Sequence, residues 1–131
     1  MNSIRLMMPV TVKAKLTEKL RARLIDECNR MAEQMSLELR QIEIDQQREI
    51  DKAPQHEEQI RQFFGNEIGP RQARHDEALH RKETLEKLAL GAEIVQGTSE
   101  RVIELKVGDN LRDAMNVEIL VEDDKIIAIR G

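Results

Sequence analysis

Apolar and polar side chains alternate with a period of two along residues 4–16. The apolar positions all share one parity: Ile4, Leu6, Met8, Val10, Val12, Ala14 and Leu16. A period of two is typical of a β-strand that buries one face. Because Pro9 has no N–H to donate to a ladder, we expect the strand either to start there or to lie at a sheet edge along that stretch.

From Thr17 onward the pattern changes to that of a helix. Neither Gly nor Pro occurs from Thr17 to Lys52, and the Thr17 hydroxyl is predicted to cap the helix at its start. The predicted length is 36 residues, or about 54 Å at 1.5 Å per residue. Steps of three and four separate the apolar residues that should contact another helix: Leu24, Cys28, Met31, Met35 and Ile42.

A turn at Ala53-Pro54 is predicted to separate this helix from a second one of 34 residues, 55–88. Proline disfavours helical geometry at the residue before it but suits the start of a new helix. Arms of nearly equal length predict an antiparallel, coiled-coil-like hairpin. The residues expected to face the first arm are Ile60, Phe64, Ile68, Ala78, Leu85 and Leu88.

The second arm contains Gly65, Gly69 and Pro70, which are expected to kink or interrupt it. A competing interpretation therefore places the turn at 65–70, with arms of about 48 and 18 residues. We favour the turn at 53–54 because its two arms are matched in length.

After Gly91 the period returns to two. Four strands are predicted, at 93–96, 102–107, 115–121 and 125–129, with turns at 97–99, 108–109 and 123–124. Together with the first strand they make five. The predicted fold class is α+β: residues 1–16 and 90–131 form a small β-domain, and the helical hairpin, 17–89, is inserted after its first strand.

Composition agrees with an elongated chain whose core is aliphatic. Charged residues make up 35% of the sequence and aromatic residues 2%, which is typical of long helices. The only aromatic residues, Phe63 and Phe64, lie beside the expected helix defect and are candidates for contact with a partner. The alternative is a purely structural role, in which the two rings fill the space where the second arm kinks.

Charge and reactive side chains give little indication of catalysis. His75 and His80 are five residues apart, whereas a zinc pair on one helical face needs a spacing of four. Cys28 falls on the apolar face beside two acids, so it is expected to be a buried hydrophobic residue. We therefore predict no catalytic, metal-binding or cofactor-binding residue and expect a protein that is not an enzyme. The single cysteine, and the absence of any apolar run near the roughly 18 residues of a membrane span, favour a cytoplasmic location.

The leading functional hypothesis is an interaction or scaffolding protein that self-associates. It is motivated by Leu37, Leu39, Ile44 and Ile50, which lie off the predicted contact face of the first arm. The alternative is an RNA- or ribosome-associated factor that uses the β-domain. Its candidate contacts are Arg5, Lys13 and Lys15, the only charged residues in 1–16, although the net charge of −4 argues against a general nucleic-acid binder.

The strings PVTVKAKLTEKL at 9–20 and VGDNLRDAMNVEILVEDDKIIAIRG at 107–131, with a break between two helical arms, resemble the YlqD-like family. That family comprises small bacterial proteins of uncharacterised function, and this chain is most similar to its cyanobacterial branch. The resemblance implies the inserted hairpin and no catalytic residue. Some relatives are encoded near genes for ribosomal proteins, which is the family's link to the RNA hypothesis.

Overall fold

A computed structural model describes all residues, 1–131, and divides them into two compact units. The β unit comprises Met1–Leu20 and Leu88–Gly131, and the hairpin unit comprises Arg21–Lys87. The elements in chain order are β1 (Ser3–Lys15), α1 (Glu18–Lys52), α2 (Glu57–Lys87), β2 (Glu93–Lys106), α3 (Leu111–Met115), β3 (Glu118–Glu122) and β4 (Lys125–Arg130). One strand precedes the long helices and three follow them, which confirms the predicted α+β class.

The β unit contains one sheet with the strand order β2-β1-β3-β4. β1 and β2 pair antiparallel along their whole length, from Ser3 opposite Lys106 to Lys15 opposite Glu93. β3 runs parallel to β1 and pairs only with Thr11–Ala14, and β4 pairs antiparallel with β3. The first half of β1 therefore has one strand neighbour, whereas its second half has two.

The sheet has four strands, so the predicted five is wrong. Gly97-Thr98-Ser99 does not close a turn, because these residues continue β2 opposite Val10–Val12. The ladder supplied by the long first strand outweighs the local turn preference of such residues. Met115 also belongs to a helix rather than a strand, since the side chain of Asn110 caps α3 by accepting hydrogen bonds from the N–H groups of Arg112 and Asp113.

Two local predictions about the strands are confirmed. β1 extends through Pro9, which lies opposite Glu100 in the half of the strand that has a single strand neighbour. The edge placement of the proline, rather than a late start of the strand, is therefore correct. Asp123 and Asp124 have φ values of 46° and 69°, the left-handed geometry of a tight hairpin turn between β3 and β4.

The core of the β unit is small and centres on the end of β1. Leu16 is 1% exposed, and backbone hydrogen bonds join its N–H to Ala92 (2.7 Å) and its carbonyl to Gly91 (2.8 Å). Thr17 caps α1 as predicted, by accepting from the N–H of Leu20 at 3.1 Å. The buried side chains of this unit are Val10, Ala14, Leu16, Leu20 and Leu120.

The turn of the hairpin unit lies between Lys52, where α1 ends, and Glu57, where α2 begins, and includes a short 3-10 segment, Pro54–His56. α2 continues without interruption through Gly65, Gly69 and Pro70, so the alternative turn at 65–70 is wrong. These residues are exposed. Their weak helix propensity is tolerated because residues on either side of them pack against α1.

The contact face of α1 differs in part from the prediction. Leu24, Cys28, Met35 and Ile42 are buried as expected, but Met31 is exposed. The other buried residues of this helix within the hairpin unit are Ala32, Gln46 and Ile50. Ile50 is buried and Leu39 half-buried, so neither is an outward-facing apolar residue as the sequence had suggested.

The contact face of α2 is regular but mixed in polarity. Every α2 residue that is not exposed falls at a step of three or four: Ile60, Phe64, Ile68, Arg71, His75, Ala78, Lys82 and Leu85. The five predicted apolar residues within α2 lie on this face, whereas the sixth, Leu88, follows the helix. The three polar members were not predicted, because an apolar pattern cannot identify a charged side chain that occupies a contact position.

Arg71 joins the two helices through an ion pair. Its Nε lies 3.5 Å from a carboxylate oxygen of Glu38 on α1, and its Nη1 donates to the carbonyl of Glu67 at 2.9 Å. Gln46 of α1 is 8% exposed and is the one buried polar side chain of this unit, whereas Arg71 and Glu38 are half-buried. Polar groups in helix–helix contacts favour one register over others, because a shifted register leaves them without a suitable partner.

We predict that Gly65→Ala raises the free energy of unfolding by about 0.5–1 kcal/mol. A Cβ at this position meets no atom within 4 Å, so helix propensity is the main change. Gly69→Ala should give a smaller gain, because a Cβ on the residue before Pro70 clashes with the proline ring in helical geometry. Gly108→Ala is the control, since its φ of +102° is strained for any side chain; it should lower stability. Chemical denaturation followed by circular dichroism measures all three, and destabilisation by Gly65→Ala would contradict the continuous, open helix.

Candidate protein-interaction surfaces

A shallow groove lies beside the turn of the hairpin unit. It has a volume of about 590 Å³ and is open to solvent. Its lining comes from the last turns of α1 and the first turns of α2: Asp45, Arg48, Glu49, Lys52, Gln59, Ile60, Phe63 and Phe64. We call it the turn groove. Both aromatic residues of the chain therefore lie in one concave site, which is the place where the sequence suggested a partner contact.

The two phenylalanines have different surroundings. Their rings form an edge-to-face pair with centroids 5.4 Å apart and an interplanar angle of 88°. Phe64 is half-buried on the contact face of α2, so it packs within the hairpin unit, which was the structural alternative to a partner contact. Phe63 is 66% exposed. Packing within the hairpin unit therefore explains Phe64 and leaves most of the Phe63 ring in contact with solvent.

Cys28 lies at the base of a second groove of about 380 Å³, together with Met31, Ala78 and four charged residues, Glu27, Arg74, Glu77 and Arg81. The thiol is buried, as expected of a small hydrophobic residue. Sequence reasoning did not identify this groove, because its members are brought together only by the antiparallel register of α1 and α2.

The three basic residues of β1 lie on one face of the sheet, and each has an acid from a later strand beside it. Arg5 is registered with Glu104 and Lys15 with Glu93. The Lys13 ammonium forms an ion pair of 2.8 Å with Glu118 of β3. The basic character of residues 1–16 is therefore balanced by acids from later strands.

Arg130 extends this cluster of charges. Its guanidinium pairs with Glu118 at 2.8 Å and with both carboxylate oxygens of Glu93, one of them at 3.3 Å. The hydrogen bonds from Arg130 to Glu93 and from Lys13 to Glu118 hold the pKa of each carboxyl below its ordinary value. Lys13 of β1, Glu93 of β2, Glu118 of β3 and Arg130 of β4 thus form one network of charges that joins all four strands of the sheet.

The histidines are separated from one another. His75 is half-buried on the contact face of α2, with Nδ1 3.1 Å from Asp76, and His56 and His80 are exposed. The hydrogen bond with His75 is the main reason that the pKa of the Asp76 carboxyl is lowered. No group of three His, Cys, Asp or Glu side chains is arranged to hold a metal ion. None of the helices has the length and apolarity needed to cross a membrane.

We predict that the paired Glu93→Gln, Glu118→Gln variant is less stable than the wild type near pH 7 and that the difference closes in acid. Both folded-state pKa values are lowered, so the stabilisation is present above the unfolded value of about 4.3 and is lost as pH falls through the folded values. Chemical denaturation at about pH 7, 5 and 3 measures this.

Glu100→Gln is the matched control, since Glu100 is an exposed acid on the same strand as Glu93. It should change stability less at every pH. A stability gap in the paired variant that persisted unchanged near pH 3 would show that the ion pairs are not its cause.

Comparisons with known proteins identify the family. A family model described as YlqD protein matches residues 4–130. Among solved structures, the crystal structure of a protein of unknown function from Synechococcus sp. WH 8102 has a TM-score of 0.85 to this chain at 23% identity, covering 98% of this chain and 95% of that one. At that identity the similarity shows a shared fold. No curated protein matches the chain. Because the family model covers nearly the whole length, the chain belongs to the YlqD family.

Proposed function

We propose that this protein is a non-enzymatic interaction protein whose helical hairpin presents the turn groove to a helical segment of a protein partner. The observation that carries the proposal is Phe63, which is 66% exposed at the edge of a groove in a chain with only one other aromatic residue. Aromatic side chains, Phe among them, are enriched in protein interfaces relative to the rest of the surface, and a few such anchors often carry much of the binding energy.

The rim of the turn groove indicates the kind of segment that would bind. Along α1 its charges are of both signs: the acids Asp45 and Glu49 are four residues apart, and so are the bases Arg48 and Lys52. The α2 side contributes apolar surface from Ile60 and the two phenylalanine rings. A groove between two helices that combines apolar surface with charges of both signs suits an amphipathic helix that carries one large apolar anchor.

Self-association is the second part of the proposal. Leu37 and Ile44 remain exposed on α1 and are seven residues apart, so they lie on one side of the helix. Of the four apolar residues of α1 from which the sequence predicted self-association, Leu37 and Ile44 are the two that remain exposed.

The perturbed carboxyls support a non-enzymatic role. The pKa values of Asp76, Glu93 and Glu118 are all lowered, and each is explained by a hydrogen bond to a neighbouring histidine, arginine or lysine. A general acid at neutral pH requires the opposite shift, which burial away from such partners produces.

The RNA- or ribosome-associated alternative has weaker support. Lys13 is paired with Glu118, and Arg5 and Lys15 lie opposite acids, so the face that carries them has charges of both signs. Binding to phosphates would require each cation to give up or share its acidic neighbour.

We predict that a benzophenone amino acid in place of Phe63 forms a discrete cross-link to another protein in cells that express the chain at its native level. The same probe in place of Leu79 is the control, because Leu79 is an exposed apolar residue of the same helix outside the turn groove. Mass spectrometry of the cross-linked species identifies the bound protein. Its purified form should then bind the Phe63→Ala variant roughly 30-fold more weakly than the wild type, the loss typical of an interface hot spot of about 2 kcal/mol.

Three cross-linking results would contradict this part of the proposal: no product from position 63, the same products from positions 63 and 79, or a dimer of the chain as the only product. A fourth contradicting result is equal binding of the wild type and the Phe63→Ala variant by the purified partner.

A further inference from the structure

The turn groove and the Cys28 groove both lie between α1 and α2. The Cys28 groove is the one of about 380 Å³ that has Cys28 at its base and Met31 and Ala78 beside it. Ala78 follows Phe63 of the turn groove by 15 residues along α2, which is roughly 22 Å at 1.5 Å per residue. The two grooves are therefore about four helical turns apart along the hairpin.

Both grooves open on the same face of the hairpin. Except for Glu49, the lining residues that flank the contact face form one row on each helix. Within a row they are separated by 3, 4, 11 or 14 residues, each close to a whole number of helical turns. The row on α1 contains Glu27, Met31, Asp45, Arg48 and Lys52. The row on α2 contains Gln59, Phe63, Arg74, Glu77 and Arg81. We call the surface between these two rows the grooved face.

The grooved face is acidic between its two grooves. Glu38 continues the α1 row, seven residues after Met31. Glu67 continues the α2 row, four residues after Phe63, and is exposed. Arg71 lies 3.5 Å from one carboxylate oxygen of Glu38, but the other oxygen is buried without a hydrogen-bond partner. One positive charge is therefore set against two negative charges in this stretch.

Pro70 adds a further hydrogen-bond acceptor to the same stretch. It lies in the α2 row, three residues after Glu67, and it has no N–H, so the carbonyl of Asn66 loses its usual helical donor. A carbonyl without its donor and a net negative charge both favour a basic side chain, which donates several hydrogen bonds and accepts none. The middle of the grooved face therefore suits a Lys or Arg from a partner.

A helix fits the grooved face better than an extended segment does. The backbone N–H and C=O groups of α1 and α2 are bonded within each helix, so this face offers no ladder to an added strand. A third helix satisfies its own backbone groups and packs on the other two at a crossing angle of about 20°. About 14 residues of such a helix span roughly 21 Å, close to the separation of the two grooves.

We propose that the helical segment of the partner lies along the grooved face and fills both grooves, with two apolar anchors about 14 residues apart and a basic residue midway between them. Anchors separated by two heptads point to the same side of a helix, so both can face the hairpin. One anchor contacts Phe63 in the turn groove, and the other contacts Met31 in the Cys28 groove. The basic residue lies over Glu38 and Glu67.

This inference rests on the proposed function and adds to it the length, the anchor spacing and the charge of the bound segment. It does not involve self-association through the outer side of α1. Failure of the two ideas is distinguishable, because Phe63 reports on the turn groove and Met31 on the Cys28 groove.

The test places the benzophenone amino acid at Met31, which is 42% exposed, in cells that express the chain at its native level. The same probe at Leu37 is the matched control, because Leu37 is 57% exposed on α1 and lies outside both rows. We expect position 31 to capture the same protein as position 63. Mass spectrometry of the cross-linked peptides should place the two attachment sites about 14 residues apart in one helical segment.

The same protein captured from positions 31 and 63, at sites about 10 to 18 residues apart and without capture from position 37, supports the inference. It is overturned if position 31 gives no product, a different protein, only a dimer of the chain, or sites outside that spacing. Equal capture from position 37 overturns it as well. In each of these cases the proposed function still stands on the product from position 63. Absence of a partner from position 63 overturns the proposed function, and this inference with it.

A second measurement tests the basic residue of the partner. The captured protein is purified and its binding to variants of the full chain is compared. Glu67→Lys should raise the dissociation constant roughly tenfold, because it sets a like charge against the basic residue. Glu86→Lys is the matched control, since Glu86 is an exposed acid of α2 outside the two rows. It should change the dissociation constant by less than about twofold.

Circular dichroism checks that both variants are folded. Equal binding by the wild type and Glu67→Lys would overturn the inference. Equal weakening by Glu67→Lys and Glu86→Lys would also overturn it, since that result indicates a general effect of charge rather than a contact on the grooved face.

Discussion

The fold depends on the antiparallel pairing of β1 with β2. This ladder runs from Ser3 opposite Lys106 to Lys15 opposite Glu93, and it joins two segments that α1 and α2 separate in the sequence. The ladder requires the chain to return after α2 to the end of β1, which two antiparallel helices of 35 and 31 residues achieve. Leu16 completes the closure through its backbone bonds to Gly91 and Ala92.

Sequence reasoning succeeded where local pattern and global fold agree. The alternation in residues 4–16 and the uninterrupted run from Thr17 to Lys52 each specify one element, and Ala53-Pro54 specifies the turn between the helices. It failed where a distant partner decides the local structure. Gly97-Thr98-Ser99 has the composition of a turn, yet it remains in β2 because Val10–Val12 supply its ladder.

The candidate sites show the same division. Phe63 and Phe64 could be identified from composition alone, since the chain has no other aromatic residue. The charge balance around Lys13 could not, because Glu118 is more than a hundred residues away in the sequence and is brought near only by the parallel pairing of β1 and β3. Arg71 was not predicted for a related reason. A charged residue does not contribute to an apolar pattern, and its place on the contact face follows only from its ion pair with Glu38 of the other helix.

Closure of the helical segment by the β1–β2 ladder favours pairing of α1 with α2. The contact face of α2 includes Arg71, His75 and Lys82, and only Ala78 and Leu85 are fully buried on it. A Leu contributes about 1.5–3 kcal/mol when buried, and Ala much less, so direct packing between the helices is modest for their length. The β1–β2 ladder holds the two ends of the helical segment together, which reduces the entropy that helix pairing must overcome. A mixed contact face is therefore sufficient for a stable hairpin, and α1 and α2 can keep Phe63, Leu37 and Ile44 on their outer surfaces.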